Sequence, residues 1–157
     1  MEMKTDFRTE NTDDFIKWSE KYKIGVPVVD AQHEQLVRLC NNFYKSILNN
    51  RDTQDYRTTV KQTLEKCLSY AITHFREEER LMKAAAFSGL QAHKAAHDSF
   101  AKKCAEHYEH IASLTISEAL KFAYFLRDWI LTHIAYEDRL YLPDLVNFLK
   151  ENQSSDQ

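Results

Sequence analysis

Residues 74–97 read HFREEERLMKAAAFSGLQAHKAAH, and the spacing inside this stretch decides the fold. His74 and Glu78 stand four apart; after a break around Phe87-Ser88-Gly89, His93 and His97 stand four apart again. Side chains four apart share one face of an α-helix, about 40° from each other around its axis. Each pair therefore points two donor groups the same way. The short link between them makes the two helices antiparallel neighbours. With two glycines and two prolines in 157 residues, long helices are permitted on either side.

Working outward, the pattern predicts an all-α, up-down-up-down antiparallel four-helix bundle preceded by a non-helical arm. Residues 15–29 (FIKWSEKYKIGVPVV) form that arm, with Gly25 and Pro27 interrupting regular structure. The first helix runs from Asp30, a good N-cap, to Leu48, and Asn49-Asn50 ends it. The second spans Thr53 to Ala86. The third opens on Ser88-Gly89-Leu90-Gln91, read as a capping box, and reaches Ala112. Thr115-Ile116-Ser117-Glu118 is a second box, and its helix extends to about Glu137. A short terminal helix over 144–151 follows Pro143. One domain, 15–151, is expected between a flexible N-terminus (1–14) and a disordered tail (152–157).

Bulk properties exclude several classes. The net charge of -3 gives no electrostatic case for nucleic acid. No apolar run is long enough to cross a bilayer, and the start MEMKTDFRTENTDD lacks the apolar core of a signal peptide. Three cysteines, an odd number at wide spacing, argue against a secreted disulfide framework and for a reducing, cytoplasmic setting. No protein partner is legible.

Among seven histidines, five follow a common grammar. His33 lies one turn into the first helix, His74 and Glu78 share a face of the second, His93 and His97 share a face of the third, and His133 sits near the end of the fourth with Asp138 after it. In an antiparallel bundle all seven side chains reach one layer. Imidazole suits iron, copper, zinc or nickel, and carboxylates can bridge two metals. If both carboxylates bridge, a shared oxide or hydroxide is added and both ions are six-coordinate, one position stays open for a small ligand. Lys94 stands where a zincin HExxH motif requires Glu, and no ExxH pair occurs, which disfavours the carboxylate-rich di-iron class. His107 and His110 fall at the edge and on the outside of their helix and are read as surface residues. His133 and Asp138, five apart, lie about 140° from each other on an ideal helix, so the fourth helix must bulge, kink or end near Tyr136.

These segments resemble the hemerythrins, particularly their bacterial single-domain members. The likeness rests on W-x3-Y-x2-G from Trp18 to Gly25, VDAQHEQL around His33, HFREEERLM from His74, HKAAHDSF from His93 and WILTHIAYEDRLY around His133. It covers about residues 15–148, and all seven ligand positions are filled. The resemblance implies two Fe ions with a bridging oxide or hydroxide: His93, His97 and His133 on one, His33 and His74 on the other, Glu78 and Asp138 shared. It implies reversible dioxygen binding for transport or storage, without enzymatic turnover, and places Leu36, Phe75, Trp129, Ile130 and Ile134 around the oxygen pocket. A dry pocket disfavours loss of charged superoxide and slows proton delivery.

Two other readings use the same site. A di-iron nitric oxide or peroxide reductase would show steady turnover. An oxygen or redox sensor would give a role to Cys40, Cys67 and Cys104, which stand seven residues from His33, His74 and His97 respectively. Seven residues are nearly two turns, so the three thiols and Leu126 should form one inward layer roughly 10 Å from the histidines. Cysteine is also an ordinary small buried hydrophobe.

Overall fold

The computed structural model describes residues 14–49 and 53–154, which are helical with no strand among them. Among the described residues are five α-helices: α1 (Pro27–Asn49), α2 (Tyr56–Ala84), α3 (Leu90–His110), α4 (Ile116–Ala135) and α5 (Leu142–Gln153). Single 3-10 turns lie at Glu20–Tyr22, Ile111–Ser113 and Glu137–Arg139. Helix α2 packs on α1 and α3, and α4 packs on α1. Phe100 of α3 and Trp129 of α4 stack at 3.8 Å and close the ring. His33 near the start of α1 meets Glu78 near the end of α2, and His93 near the start of α3 meets His133 near the end of α4. Direction therefore alternates around the bundle, as the spacing predicts.

The arm is ordered by specific bonds. Asn41 accepts the Ile16 amide at 2.7 Å and donates to the Ile16 carbonyl at 2.9 Å, while Phe15 stacks on Tyr44 at 3.9 Å. Arg139 Nη2 donates to the carbonyls of Lys21 and Lys23. One boundary differs from expectation: α1 opens at Pro27, three residues before Asp30. Proline's fixed φ and missing N–H suit a first helical turn. Asp30 instead reaches back, its carboxylate accepting the amides of Ile24 and Gly25 at 2.7 and 3.1 Å. Gly25 turns the chain there with φ of 88°, a conformation that favours glycine.

Other helix ends also depart from expectation. Helix α2 starts at Tyr56 with Thr53 in the preceding turn, and its last residue is Ala84. It closes with a Schellman motif: Phe87 N–H donates to Met82 O, and Ala86 N–H donates to Lys83 O. Ala86 takes the left-handed position at φ 54°. The N-cap of α3 is Gly89 without a side-chain cap, so Ser88 forms no capping box. A Cβ at position 89 would come within 2.5 Å of the Phe87 ring, and the chain keeps glycine at this approach. The Thr115/Glu118 box is present in full. Helix α5 begins before the expected residue 144, with Pro143 in its first turn, and ends at Gln153, two residues beyond 151. The expected loose start lies outside the described residues up to position 13, as do Asn50 and the tail from 155 onward.

Two apolar clusters flank the layer of histidines. The larger runs along the bundle and includes Phe43, Leu64, Phe75, Phe100, Leu126 and Ile130. The smaller lies at the α5 end and joins Ile24, Val29, Met82, Tyr141 and Leu145. Cys40, Cys67, Cys104 and Leu126 are all in the larger cluster, at most 2% exposed, and the thiols are free. No helix among the described residues is long and apolar enough to cross a membrane.

Candidate metal centre

All seven singled-out side chains converge and are buried, His33, Glu78 and Asp138 completely. Asp138 reaches them because α4 ends at Ala135. Tyr136 leaves the helical region at φ -123°, ψ -58°, and a 3-10 turn over Glu137–Arg139 swings Asp138 inward. This is the break that the His133/Asp138 spacing demands.

The geometry divides the ring in two. His93, His97 and His133 bring their Nε2 atoms together, His133 standing 2.9 Å from His97 and 3.1 Å from His93. His33 and His74 face each other across the other half, with ring centroids 4.8 Å apart. Asp138 lies between, its Oδ1 2.8 Å from His133 and 3.1 Å from His93, its Oδ2 2.9 Å from His33. Glu78 Oε2 is 3.4 Å from both His74 and His97, and its Oε1 is 3.7 Å from His33. Two overlapping groups of potential ligands result, Glu78/His93/His97/His133/Asp138 and His33/His74/Glu78/Asp138, the donor atoms of each within 4.8 Å of one another. Both carboxylates belong to both groups.

The donor set fits cations. Nε2 of His33 and His74, Oε2 of Glu78 and both Asp138 oxygens are fully buried yet lack an aligned hydrogen-bond partner. Buried polar atoms are otherwise nearly always satisfied, and lone pairs converging on common points are what metal ions require. The electrostatics agree. Burial raises Asp138, but the surrounding histidines outweigh it and hold the carboxyl well below its ordinary range. Glu78 is likewise lowered against burial and the Asp138 charge, chiefly by His74 and His33. Burial lowers His33 and His93, but the adjoining Asp138 and Glu78 more than compensate and lift each to about 9. Two buried carboxylates thus draw positive charge to the ring.

A family model described as the Hemerythrin HHE cation binding domain matches residues 24–145. The chain belongs to the hemerythrin family. It is 30% identical over 142 residues to the bacteriohemerythrin of Stenotrophomonas maltophilia (strain R551-3), covering 87% of this chain and 88% of that one. The myohemerythrin of Theromyzon tessulatum is 26% identical over 80% of this chain and 89% of its own. A crystal structure titled "hemerythrin:wild-type" superposes with a TM-score of 0.71 at 25% identity, covering 83% of this chain and 98% of that one.

Outside the seven, the hemerythrin ring has three supports that sequence reasoning missed. His74 Nδ1 donates to Gln32 Oε1 at 2.7 Å, His97 Nδ1 donates to Glu79 Oε1 at 2.9 Å, and Tyr141 Oη donates to Glu78 Oε1 at 2.9 Å. Such bonds fix ring orientation and leave Nε2 free to face inward. Gln32 and Glu79 adjoin His33 and Glu78 in sequence, which was a usable signal, although Gln32 serves a different helix.

Of the five apolar residues expected beside the histidines, Phe75 and Trp129 are in direct ring contact with them. Leu36, Phe75, Ile130 and Ile134 are buried in the larger cluster, and Trp129 is half-buried against it. Phe75 stacks on His97 at 3.9 Å and Trp129 stacks on His133 at 4.4 Å. His107 packs its ring on Phe122 and its Nδ1 donates to Lys103 O, away from the cluster, and His110 is exposed. The cysteines are chemically quiet. Burial pushes Cys67 up to about 12 and raises Cys40 and Cys104 as well, with the nearby Cys67 adding to both shifts. Neutral, enclosed thiols are poor nucleophiles.

Proposed function

We propose that this chain binds dioxygen reversibly at a di-iron centre and serves as a carrier or store. The observation that carries this reading is the unequal division of one ring: three histidines on one side, two on the other, both carboxylates common to the two groups. His93, His97 and His133 would hold one iron, His33 and His74 the second, with Glu78 and Asp138 shared and an oxide or hydroxide between them. When bound, such an iron pair supplies reversible redox chemistry toward dioxygen. The names of its relatives, bacteriohemerythrin and myohemerythrin, support the same reading.

The chain's own side chains have distinct parts in it. Gln32, Glu79 and Tyr141 hold His74, His97 and Glu78 in orientation. Leu36, Phe75, Trp129, Ile130 and Ile134 exclude water, which favours release of a bound neutral gas over loss of a charged product. That dry wall supports binding without turnover, and the free thiols suit a cytoplasmic location. Deep burial of Cys40, Cys67 and Cys104 disfavours the thiol-based sensor.

Iron analysis and absorption spectroscopy test the proposal. The purified chain should carry about two irons and gain a charge-transfer band in air that disappears on deoxygenation and returns through repeated cycles. A colourless zinc protein, or sustained reductant-driven consumption of nitric oxide or peroxide, would overturn it.

A further inference from the structure

Between α2 and α3 lies a cavity of about 200 Å³. Its origin is compositional: Ala71 on α2 and Ala101 and Ala105 on α3 border it, and their short side chains leave the interhelical space unfilled. The inner wall is made by Phe75, Phe100 and Cys104, each no more than 4% exposed. The mouth opens past Glu65 and Ser69, both exposed, and past Ile72.

The walls select a class of guest. A dry apolar cavity of about 150 Å³ is enough to hold benzene, so this space suits one ring and no peptide. Phe75 and Phe100 stand edge to face, 5.8 Å apart at 76°, and a third ring extends such an arrangement favourably. The Cys104 sulfur adds a polarisable contact of the kind sulfur makes with ring edges. No cationic side chain borders the cavity, and Glu65 at its mouth repels anions.

Its wall also leads inward. Phe75 lies parallel to the His97 ring, 3.9 Å apart at 9°. Phe100 stacks on Trp129, which in turn stacks on His133. Phe75 also stands 6.1 Å from the His133 ring, so a guest in the cavity is one ring away from both His97 and His133.

We propose that the α2–α3 cavity is a second ligand site, which takes a small uncharged monocyclic aromatic molecule and is separated from the histidine ring by Phe75. This stands independently of what the ring binds, because cavity and walls belong to the chain alone.

Titration of the full chain with benzene and with phenol, in metal-free and iron-loaded forms, tests it. Methyl resonances of Ala71, Ala101 and Ala105 should shift saturably, and Trp129 fluorescence should change in a Trp18→Phe background. Filling the space with Ala101→Leu should weaken binding at least about tenfold. Ala105→Leu, nearer the mouth, provides a second filling variant if the first does not fold. Cyclohexane should bind much more weakly than benzene. Absence of saturable shifts, indifference to both filling variants, or equal binding of cyclohexane would overturn the assignment. So would self-association through this face, detected by sedimentation and abolished by the same variants.

Discussion

Tyr141, the residue before α5, donates its hydroxyl to Glu78 Oε1 at 2.9 Å, 63 residues away in the chain. Tyr141 is fully buried, and its ring also packs 5.9 Å from His93. Burial together with the Glu78 and Asp138 charges pushes its phenol far above the usual range. It is therefore a fixed donor that anchors one oxygen of a carboxylate common to both halves of the ring.

Removing that donor should weaken the ring without dismantling the bundle. Tyr141→Phe keeps the apolar packing and leaves Glu78 Oε1 short of a partner, at a cost of about 1–3 kcal/mol. Loss of such an outer partner typically lowers metal affinity about 10–100-fold. Competition with a chelator, measured alongside thermal unfolding, checks both. Unchanged affinity would mean that Glu78 is oriented by its histidine neighbours alone.

Alkaline stability should report the thiols. Cys67 is held at about 12 against an ordinary 9.0, so above pH 9 the unfolded chain loses this proton first. Stability is then complete below pH 9 and falls as pH rises toward 12, by about 1.4 kcal/mol per pH unit for this thiol. Cys67→Ala lowers stability at neutral pH through the lost volume, yet should show a shallower decline above pH 9. Urea unfolding at stepped pH compares the slopes. Parallel curves would contradict the burial argument.

Two helix ends should respond in opposite directions. Ala86→Gly relieves a left-handed alanine, and because the unfolded chain gains freedom the net gain is about 0.5–1 kcal/mol. Thr115→Ala removes the hydroxyl that accepts the Glu118 amide at 3.2 Å and should cost about 1 kcal/mol. Thermal melts of both variants test the pair.

The arm depends on one side chain. Asn41→Ala strands the Ile16 N–H and C=O that Asn41 satisfies, costing about 1–3 kcal/mol. Limited proteolysis should then cut within residues 15–26 well before the bundle. Equal protection in variant and parent would show that Phe15 stacking and Arg139 suffice.

Local features were readable and long-range ones were not. The His74/Glu78 and His93/His97 pairs gave two helices because helical period is a property of neighbours. The five-residue gap from His133 to Asp138 even announced where α4 breaks. The start of α1 was misplaced because Asp30 has the chemistry of an N-cap, while Pro27 sets the boundary and Asp30 binds the arm instead. Ser88 was misread for a similar reason: Gly89 accommodates the Phe87 ring and takes the cap position. Nothing near Tyr141 in sequence announces Glu78.

By itself, the sequence determined four amphipathic helices and which face of each carries imidazole or carboxylate, since both follow from spacing along one chain. Tertiary structure decided that Asp138 and Glu78 are common to two groups of histidines, that Tyr141, Gln32 and Glu79 support them, and that alanines on α2 and α3 leave a cavity between them. Those outcomes depend on the axial register between helices. Register is set by the sum of packing across all of them, and no local stretch encodes it.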